Sequence, residues 1–227
     1  QLTMRLPLSL IERNHHQPLA VLSMVLGVSD ILQDVPDPDF RDYLQGEFRF
    51  YEQKYGLTTI KRAAWRRFGV RAAGMPVRRL AQLAALLSAR SRFQSEVTHC
   101  RSVAQLYKIL DVGLPEDKRW QKLLPASNLF TNDTREMIVL NVFLPLWFSY
   151  ANTQNPTAKD QLIFDIFQAL PAEKNQICAQ FAKKGFEVKT ALDTQALLEL
   201  RSQYCIRKRC ASCSIGQYIF TNSKEFF

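Results

Sequence analysis

Apolar residues recur at helical spacing along most of the chain. The clearest stripe follows Pro76 and consists of Val77, Leu80, Leu83, Ala84 and Leu87. Residues three and four positions apart share one face of an α-helix, so this spacing predicts an amphipathic helix. Only 8 Gly and 10 Pro occur in 227 residues, and a chain of many short strands would need more of these turn-forming residues. The pattern predicts a mainly α fold, an irregular bundle of about 9–11 helices with little or no β structure.

Residues that favour helix ends place several boundaries. Asp37 before Pro38 is expected to cap a helix that closes at Gly56, because Asp caps N-termini and Gly tolerates the left-handed C′ position. Asp133 and Asp193 are interpreted as further N-caps. Other helices are predicted over residues 17–26, 59–68, 102–110, 133–150, 156–170, 172–184 and 193–204.

Length and apolar content limit the number of domains and the possibility of a membrane span. A chain of 227 residues fits one helical domain over residues 1–227, with a possible subdivision into lobes 1–112 and 113–227. The most apolar stretch, 137–151, is shorter than the roughly 20 residues of a membrane span and contains Asn141 and Pro145. It is interpreted as a core helix, and no membrane contact is expected. Because the chain begins at Gln1 without a leader, it is expected to belong to a longer protein.

Charge is distributed unevenly, and the net charge is +9. No acidic residue lies between Glu52 and Glu96. The cations of this basic segment, residues 54–92, are Lys54, Lys61, Arg62, Arg66, Arg67, Arg71, Arg78, Arg79, Arg90 and Arg92. The preceding acidic segment, residues 30–52, carries seven carboxylates and could fold back to neutralise part of this charge.

Arginine interleaved with aromatic residues favours nucleic acid as the partner of the basic segment. Guanidinium groups bind phosphates, and Trp65 and Phe68 could stack on bases. The candidate contacts are Arg62, Arg66, Arg67, Arg71, Arg78 and Arg79. The alternative is a solvated helix face beside the acidic segment, with Trp65 in the core.

Three of the five cysteines cluster near the C-terminus as C-x4-C-x2-C: Cys205, Cys210 and Cys213. The odd total favours a reducing, cytoplasmic location with thiols or metal ligands. Cys178 is the best fourth ligand for a zinc or iron–sulfur site, and Arg207, Lys208 and Arg209 would offset the charge of such a thiolate site. Reduced thiols in a tight turn and a disulfide remain the alternatives.

Residues 75–86 resemble a Phe-Pro-x-x-Arg-[Leu/Ile]-Ala-Gln-Leu-Ala segment of an uncharacterised bacterial family, DUF2851. Stretches 140–145, 173–175, 193–197 and 204–216 fit the same family in order. Arg71, Arg79 and Gln82 match its pattern, whereas Ala72, Gly74 and Met75 depart from it. The resemblance implies that this chain is the C-terminal half of such a protein. Its partner would then be the N-terminal half of the same protein, for which the resemblance allows a nuclease-like core.

Three functional hypotheses follow. The chain is a binding module for nucleic acid, an interaction domain that packs on the N-terminal half, or part of an enzyme. Phosphate-binding glycine loops, the H-E-x-x-H zinc motif and the G-x-S-x-G nucleophile motif are all missing from the sequence. Catalysis by this chain alone is therefore the least favoured hypothesis.

Overall fold

The fold of the chain is mainly α-helical, as a computed structural model shows for residues 2–61, 64–65, 69, 74–124, 129–151 and 156–222. Side chains of residues 150–151 and 156–159 are not described. About 70% of the described residues are helical, and they form no strand. The α-helices are α1 Leu2–Arg5, α2 Leu8–Arg13, α3 Pro18–Val28, α4 Pro38–Tyr55, α5 Pro76–Ser88, α6 Phe93–His99, α7 Val103–Leu110, α8 Asn132–Ile138, α9 Leu144–Ala151, α10 Pro156–Ala169, α11 Gln176–Ala182, α12 Ala191–Glu199 and α13 Ser214–Thr221. The predicted mainly α class is confirmed.

Two compact units make up the chain. The first comprises Gln1–Cys100 and Ala104–Arg135, and the second comprises Arg101–Val103 and Glu136–Phe227. The chain passes between the units around residues 101–103 and again within α8, and the sequence-based subdivision was placed between residues 112 and 113. No helix in the described ranges combines the length and apolar character that crossing a membrane requires.

In the first unit, α3 is the central helix and packs against both α4 and α5. Every residue from Ala20 to Val28 is buried, including Ser23, whose hydroxyl donates to the carbonyl of Ala20 at 2.9 Å. A helix that is apolar on all sides is buried on all sides, because no face can be left to water at low cost. The sequence pattern of α3 therefore specifies the centre of this core.

The predicted boundaries of α4 are confirmed. The Asp37 carboxylate accepts the N–H of Phe40 at 2.8 Å, and Gly56 adopts a left-handed conformation with φ of 61°. An N-cap side chain satisfies one of the four N–H groups that the first helical turn leaves unpaired. The apolar residues Phe40, Leu44 and Phe48 then face the core.

Gly27 is the last but one residue of α3 and is buried. A Cβ atom at this position would lie 2.2 Å from both Cγ and Cδ2 of Phe48. The absence of a side chain therefore lets α4 approach α3 closely. Spacing along one helix carries no information about this contact, because Phe48 is 21 positions away in sequence.

Four helices end on the same backbone motif. Their left-handed residues are Asp30, Gly56, Lys208 and Gly185. In each, the next residue donates its N–H to the carbonyl five positions earlier, for example Arg209 to Tyr204 at 2.9 Å. This Schellman pattern pairs carbonyls that the last turn leaves unsatisfied. Asp30 and Lys208 hold the position without the freedom of glycine.

The apolar stretch 137–151 is a continuous helix that changes type in its middle. Residues Val139–Phe143 are π-helical, and the N–H of Leu144 bonds to the carbonyl of Val139. Pro145 has no N–H to donate to the carbonyl four positions earlier, so a local change of helix type is expected beside it. Leu140, Phe143 and Trp147 are buried, whereas Met137 and Phe148 are about half exposed. The expected core helix therefore buries one face only.

Two N-caps differ from the sequence prediction. The cap of α12 is Thr190, with Asp193 at the third helical position accepting the N–H of Thr190 at 2.9 Å. The two side chains form a capping box, in which the threonine and the carboxylate satisfy each other's backbone donors. Asp133 likewise lies inside the first turn of α8, and Thr131 accepts the N–H of Thr134 at 3.3 Å.

The short basic helix predicted over residues 59–68 is wrong at its start. Thr59, Ile60 and Lys61 are not helical, and the N–H of Ile60 instead donates to the carbonyl of Val28 at 2.7 Å. Residues 62–63 and 66–68 of this predicted helix lie outside the described residues. A tertiary hydrogen bond to the end of α3 has replaced the local helical bond at Ile60.

Candidate functional site

Two of the six arginines predicted to contact nucleic acid lie in the described structure. The other four, Arg62, Arg66, Arg67 and Arg71, lie outside the described residues. Arg78 and Arg79 occupy the first turn of α5, where Arg78 is half-buried and Arg79 is exposed. Arg79 donates to the side-chain oxygen of Gln82 at 3.2 Å, and Gln82 donates to the carbonyl of Leu129 at 2.7 Å. Gln82 therefore orients the exposed guanidinium.

Arg90 has a structural role. Its Nη2 atom donates to the carbonyls of Lys108 and Ile109 at 2.8 and 3.1 Å, and its Nη1 atom pairs with Glu96 at 3.3 Å. These carbonyls end α7, where a cation satisfies unpaired acceptors and complements the negative end of the helix dipole. The guanidinium of Arg90 is consequently bound to groups of the first unit and is not available to contact a partner.

Trp65 is attached to the end of α3. Its indole N–H donates to the carbonyl of Ser29 at 2.7 Å, and the side chain is half-buried. Together with Ile60, it satisfies two consecutive carbonyls at the C-terminus of the buried central helix. Trp65 is therefore tied to the end of α3 but is not fully buried in the core, and Phe68 lies outside the described residues.

The acidic segment makes an ion pair with a lysine outside the basic segment. Asp37 Oδ2 lies 2.7 Å from Lys122 Nζ, while the other oxygen caps α4. The hydrogen bond from Lys122, followed by the one from the Phe40 N–H, lowers the pKa of Asp37. This carboxylate therefore stays charged and is bound to Lys122 and to the start of α4, so it does not neutralise the basic segment.

The cysteines of the C-terminal segment lie on three neighbouring elements. Cys205 ends the π-helical segment Leu200–Cys205, Cys210 begins a 3-10 turn Cys210–Ser212, and Cys213 precedes α13 as its N-cap. Cys205 and Cys210 are exposed, whereas Cys213 is buried. Cys178, the predicted fourth ligand, is buried in α11, where its N–H donates to the side-chain oxygen of Asn175 at 2.9 Å.

The predicted zinc or iron–sulfur site is not assembled by this arrangement. Among the residues that the structure describes, no three Cys, His, Asp or Glu side chains converge as ligands. Cys178, Cys205, Cys210 and Cys213 all belong to that part of the chain. The C-x2-C spacing correctly indicates a tight turn, but a closed site needs about four ligands in one place, which spacing alone does not supply.

A hydrogen bond closes the turn between Cys210 and Cys213. The N–H of Cys213 donates to the carbonyl of Cys210 at 3.2 Å. Gly216, in the first turn of α13, lies against the same residue, since a Cβ on Gly216 would be 2.2 Å from the Cys210 carbonyl oxygen. Gln217 donates its N–H to Cys213 at 2.8 Å and its side-chain amide to Ala211 at 2.9 Å. Helix α13 therefore holds the turn in a defined shape.

The chain also contains a groove that the sequence did not reveal. It lies at the N-terminus of α3, has a volume of about 690 Å³, and includes Gln17, Tyr43, Glu47 and Asp117 in its lining. Asp117 pairs with Arg119 at 2.7 Å, and hydrogen bonds from Arg119 lower the pKa of Asp117. These residues are up to 100 positions apart in sequence, so no local motif could have marked the groove.

These features define a class, namely a mainly α-helical protein with a basic segment and a cysteine-containing C-terminal turn. The chain matches the family described as "Protein of unknown function (DUF2851)" over residues 1–176. It therefore belongs to the DUF2851 family. The match supports the resemblance of residues 75–86, 140–145 and 173–175, while stretches 193–197 and 204–216 lie beyond the matched residues. It covers the N-terminal part of this chain and does not support the expectation that the chain is the C-terminal half of a family member. No curated protein and no solved structure matches the chain.

Proposed function

We propose that this chain is a helical binding module that contacts nucleic acid through its basic segment, residues 54–92. The observation that carries the proposal is the run of ten cations uninterrupted by any carboxylate between Glu52 and Glu96. Such a field attracts polyanions, and arginine is well suited to phosphate oxygens. The groups expected to touch phosphate are Arg62, Arg66, Arg67, Arg71, Arg78 and Arg79.

Two structural details support an accessible cationic surface, and a third removes one cation from it. Lys61, Arg79 and Arg92 are exposed, so part of the segment already faces water. Asp37 of the acidic segment is paired with Lys122 rather than with a cation of this segment. Arg90 is excluded from the contact set because α7 and Glu96 occupy its guanidinium.

The test is a fluorescence anisotropy titration of labelled duplex DNA and single-stranded RNA at two salt concentrations. The double variant Arg78→Gln/Arg79→Gln should weaken binding and reduce the salt slope by about 1.8 for duplex DNA, because each phosphate contact contributes about 0.9. The matched control is Lys183→Gln/Lys184→Gln, which removes the same charge from two exposed lysines in the second unit.

The control should keep most of the affinity. Binding that does not change with salt, or an equal loss in both double variants, would overturn the assignment of the basic segment. The first result would exclude phosphate contacts, and the second would indicate a dependence on net charge without a defined site.

A second candidate is an interaction domain that packs on the N-terminal half of a longer protein. It is favoured by an uncovered apolar stripe on α13, where Ile215, Tyr218 and Ile219 are 39%, 59% and 48% exposed. Positions three and four apart share a helix face, and clustered exposed apolar side chains are typical of interaction sites. The exposed cations Arg207, Lys208 and Arg209 precede this stripe, so the partner surface would be apolar with an acidic edge.

Co-expression of this chain with a tagged N-terminal half would test the second candidate. The variant Ile215→Ser/Tyr218→Ser should abolish co-purification, whereas Met4→Ser, at a side chain 86% exposed in the first unit, should retain it. Absence of a complex with the unaltered chain, or equal loss with Met4→Ser, would reject the stripe as the docking surface.

A further inference from the structure

Cys210 and Cys213 stand at the two ends of one hydrogen-bonded turn. The Cys213 N–H donates to the Cys210 carbonyl at 3.2 Å, which is the bond of an i to i+3 turn. Such a turn holds its first and last Cα atoms within about 7 Å. A disulfide joins Cα atoms that are about 4.4–6.8 Å apart, which overlaps the separation that such a turn allows.

The two thiols differ in access to solvent, which gives them different roles. Cys210 is exposed, whereas Cys213 is only 8% exposed. Thiol–disulfide exchange proceeds by attack of an accessible thiolate, followed by attack of a second thiol from within the protein. Cys210 is therefore positioned to meet a small disulfide, and Cys213 is positioned to resolve the mixed disulfide that results.

The surroundings of the pair fit an anionic reactant. Arg207, Lys208 and Arg209 are all exposed and immediately precede Cys210. Opposite charges raise the local concentration of a charged reactant at a protein surface. The close contact of Gly216 with Cys210 also fixes the turn, which reduces the entropy that must be lost when the disulfide closes.

We propose that Cys210 and Cys213 form a dithiol–disulfide exchange site for small anionic disulfides. The Cys210 thiolate attacks one sulfur of the disulfide, forms a mixed disulfide and releases one thiolate. The Cys213 thiol gives its proton to solvent and attacks the Cys210 sulfur, which forms the Cys210–Cys213 bond and releases the second thiolate. The two cysteines are oxidised by two electrons, and the small disulfide is reduced to two thiols.

Trypsin allows the products to be assigned without ambiguity. Cleavage after Arg207 and Arg209 places Cys205 on one peptide and both Cys210 and Cys213 on another, residues 210–224. The reduced chain is equilibrated in glutathione buffers with an increasing oxidised share, quenched in acid, alkylated and digested. A loss of two hydrogens within peptide 210–224, without alkylation of either thiol, is the expected product.

Three serine variants separate the roles. Cys205→Ser is the matched control, because Cys205 is exposed in the same segment but lies outside the turn, and it should leave the oxidation midpoint unchanged. Cys213→Ser should accumulate a glutathione adduct on Cys210 by at least about tenfold over the unaltered chain, since the resolving thiol is missing. Cys210→Ser should leave Cys213 largely unmodified because it is buried.

Other outcomes would overturn the assignment. A bridge between the Cys205 peptide and peptide 210–224 would show that a different pair is reactive. Glutathione on Cys205 with Cys210 and Cys213 still reduced across the whole series would show that the turn does not exchange. Stoichiometric zinc released from the isolated chain by alkylation of Cys210 would assign the pair to metal binding instead.

Discussion

The contact between Gly27 and Phe48 makes Gly27→Ala the sharpest test of the packing of the first unit. The added methyl group would lie 2.2 Å from Cγ and Cδ2 of Phe48 and 2.5 Å from Cε2. Both residues are buried, and the Phe48 side chain is only 7% exposed. Relief therefore requires the Phe48 ring or the α4 backbone to shift within a packed core.

The magnitude follows from two opposing effects. Overpacking a well-packed core costs about 1–3 kcal/mol, and contact with several atoms of a rigid ring places this substitution at the upper end. Replacing glycine by alanine inside a helix returns about 1 kcal/mol. We expect Gly27→Ala to lower the free energy of unfolding by about 2 kcal/mol.

Gly46→Ala is the matched control, because Gly46 is exposed in α4 and a Cβ there would have no neighbour within 4 Å. It should stabilise the first unit by about 0.5–1 kcal/mol. The assay is urea unfolding followed by far-ultraviolet circular dichroism at fixed temperature. Phe48→Leu should recover part of the stability lost in Gly27→Ala. Equal stabilisation by both glycine substitutions would refute the close approach of α3 and α4.

Two further predictions concern polar groups. Arg90→Gln should destabilise the first unit by about 1.5–3 kcal/mol, because the carbonyls of α7 lose a charged donor. Arg92→Gln should change the free energy of unfolding by no more than about 0.5 kcal/mol. Urea unfolding measures both variants, and equal effects would contradict the structural role of Arg90. Hydrogen bonds, first from Thr190 and then from Lys189, lower the pKa of Asp193, so its stabilising contribution is present above the unfolded-state pKa and is lost as the pH falls through the folded value. Unfolding of Asp193→Asn should therefore depend less on pH below about pH 4 than that of the unaltered chain, and identical acid profiles would contradict this.

Local sequence signals predicted the helices better than their contacts. Asp37 and Gly56 bound α4 as expected, since capping depends on residues within one turn of the helix end. Gly27 lies next to the end of α3, and its close contact with Phe48 could not be predicted from residues within one helical turn. Thr190 and Asp193 formed a pair, and reading Asp193 alone as the cap displaced the start of α12 by three residues.

For the candidate sites too, local features could be predicted from the sequence and contacts between distant residues could not. The C-x2-C spacing indicated a turn at Cys210, because the two residues are close in sequence. The predicted ligand Cys178 lies 27 positions before Cys205, and no periodicity specifies whether two such elements meet. Trp65 was recognised as an aromatic residue among arginines, yet only the folded chain reveals its bond to the Ser29 carbonyl.

Complete enclosure of α3 restricts what its positions can accept. Each residue from Ala20 to Val28 has neighbours on every side, so a larger side chain meets packed atoms and a charged one loses its water. Exposed helices such as α13 have no comparable restriction. We therefore expect distant members of the family to differ least in residues 20–28. The sequence of side-chain sizes in this stretch, including the glycine at position 27, should then be the most useful pattern for finding them.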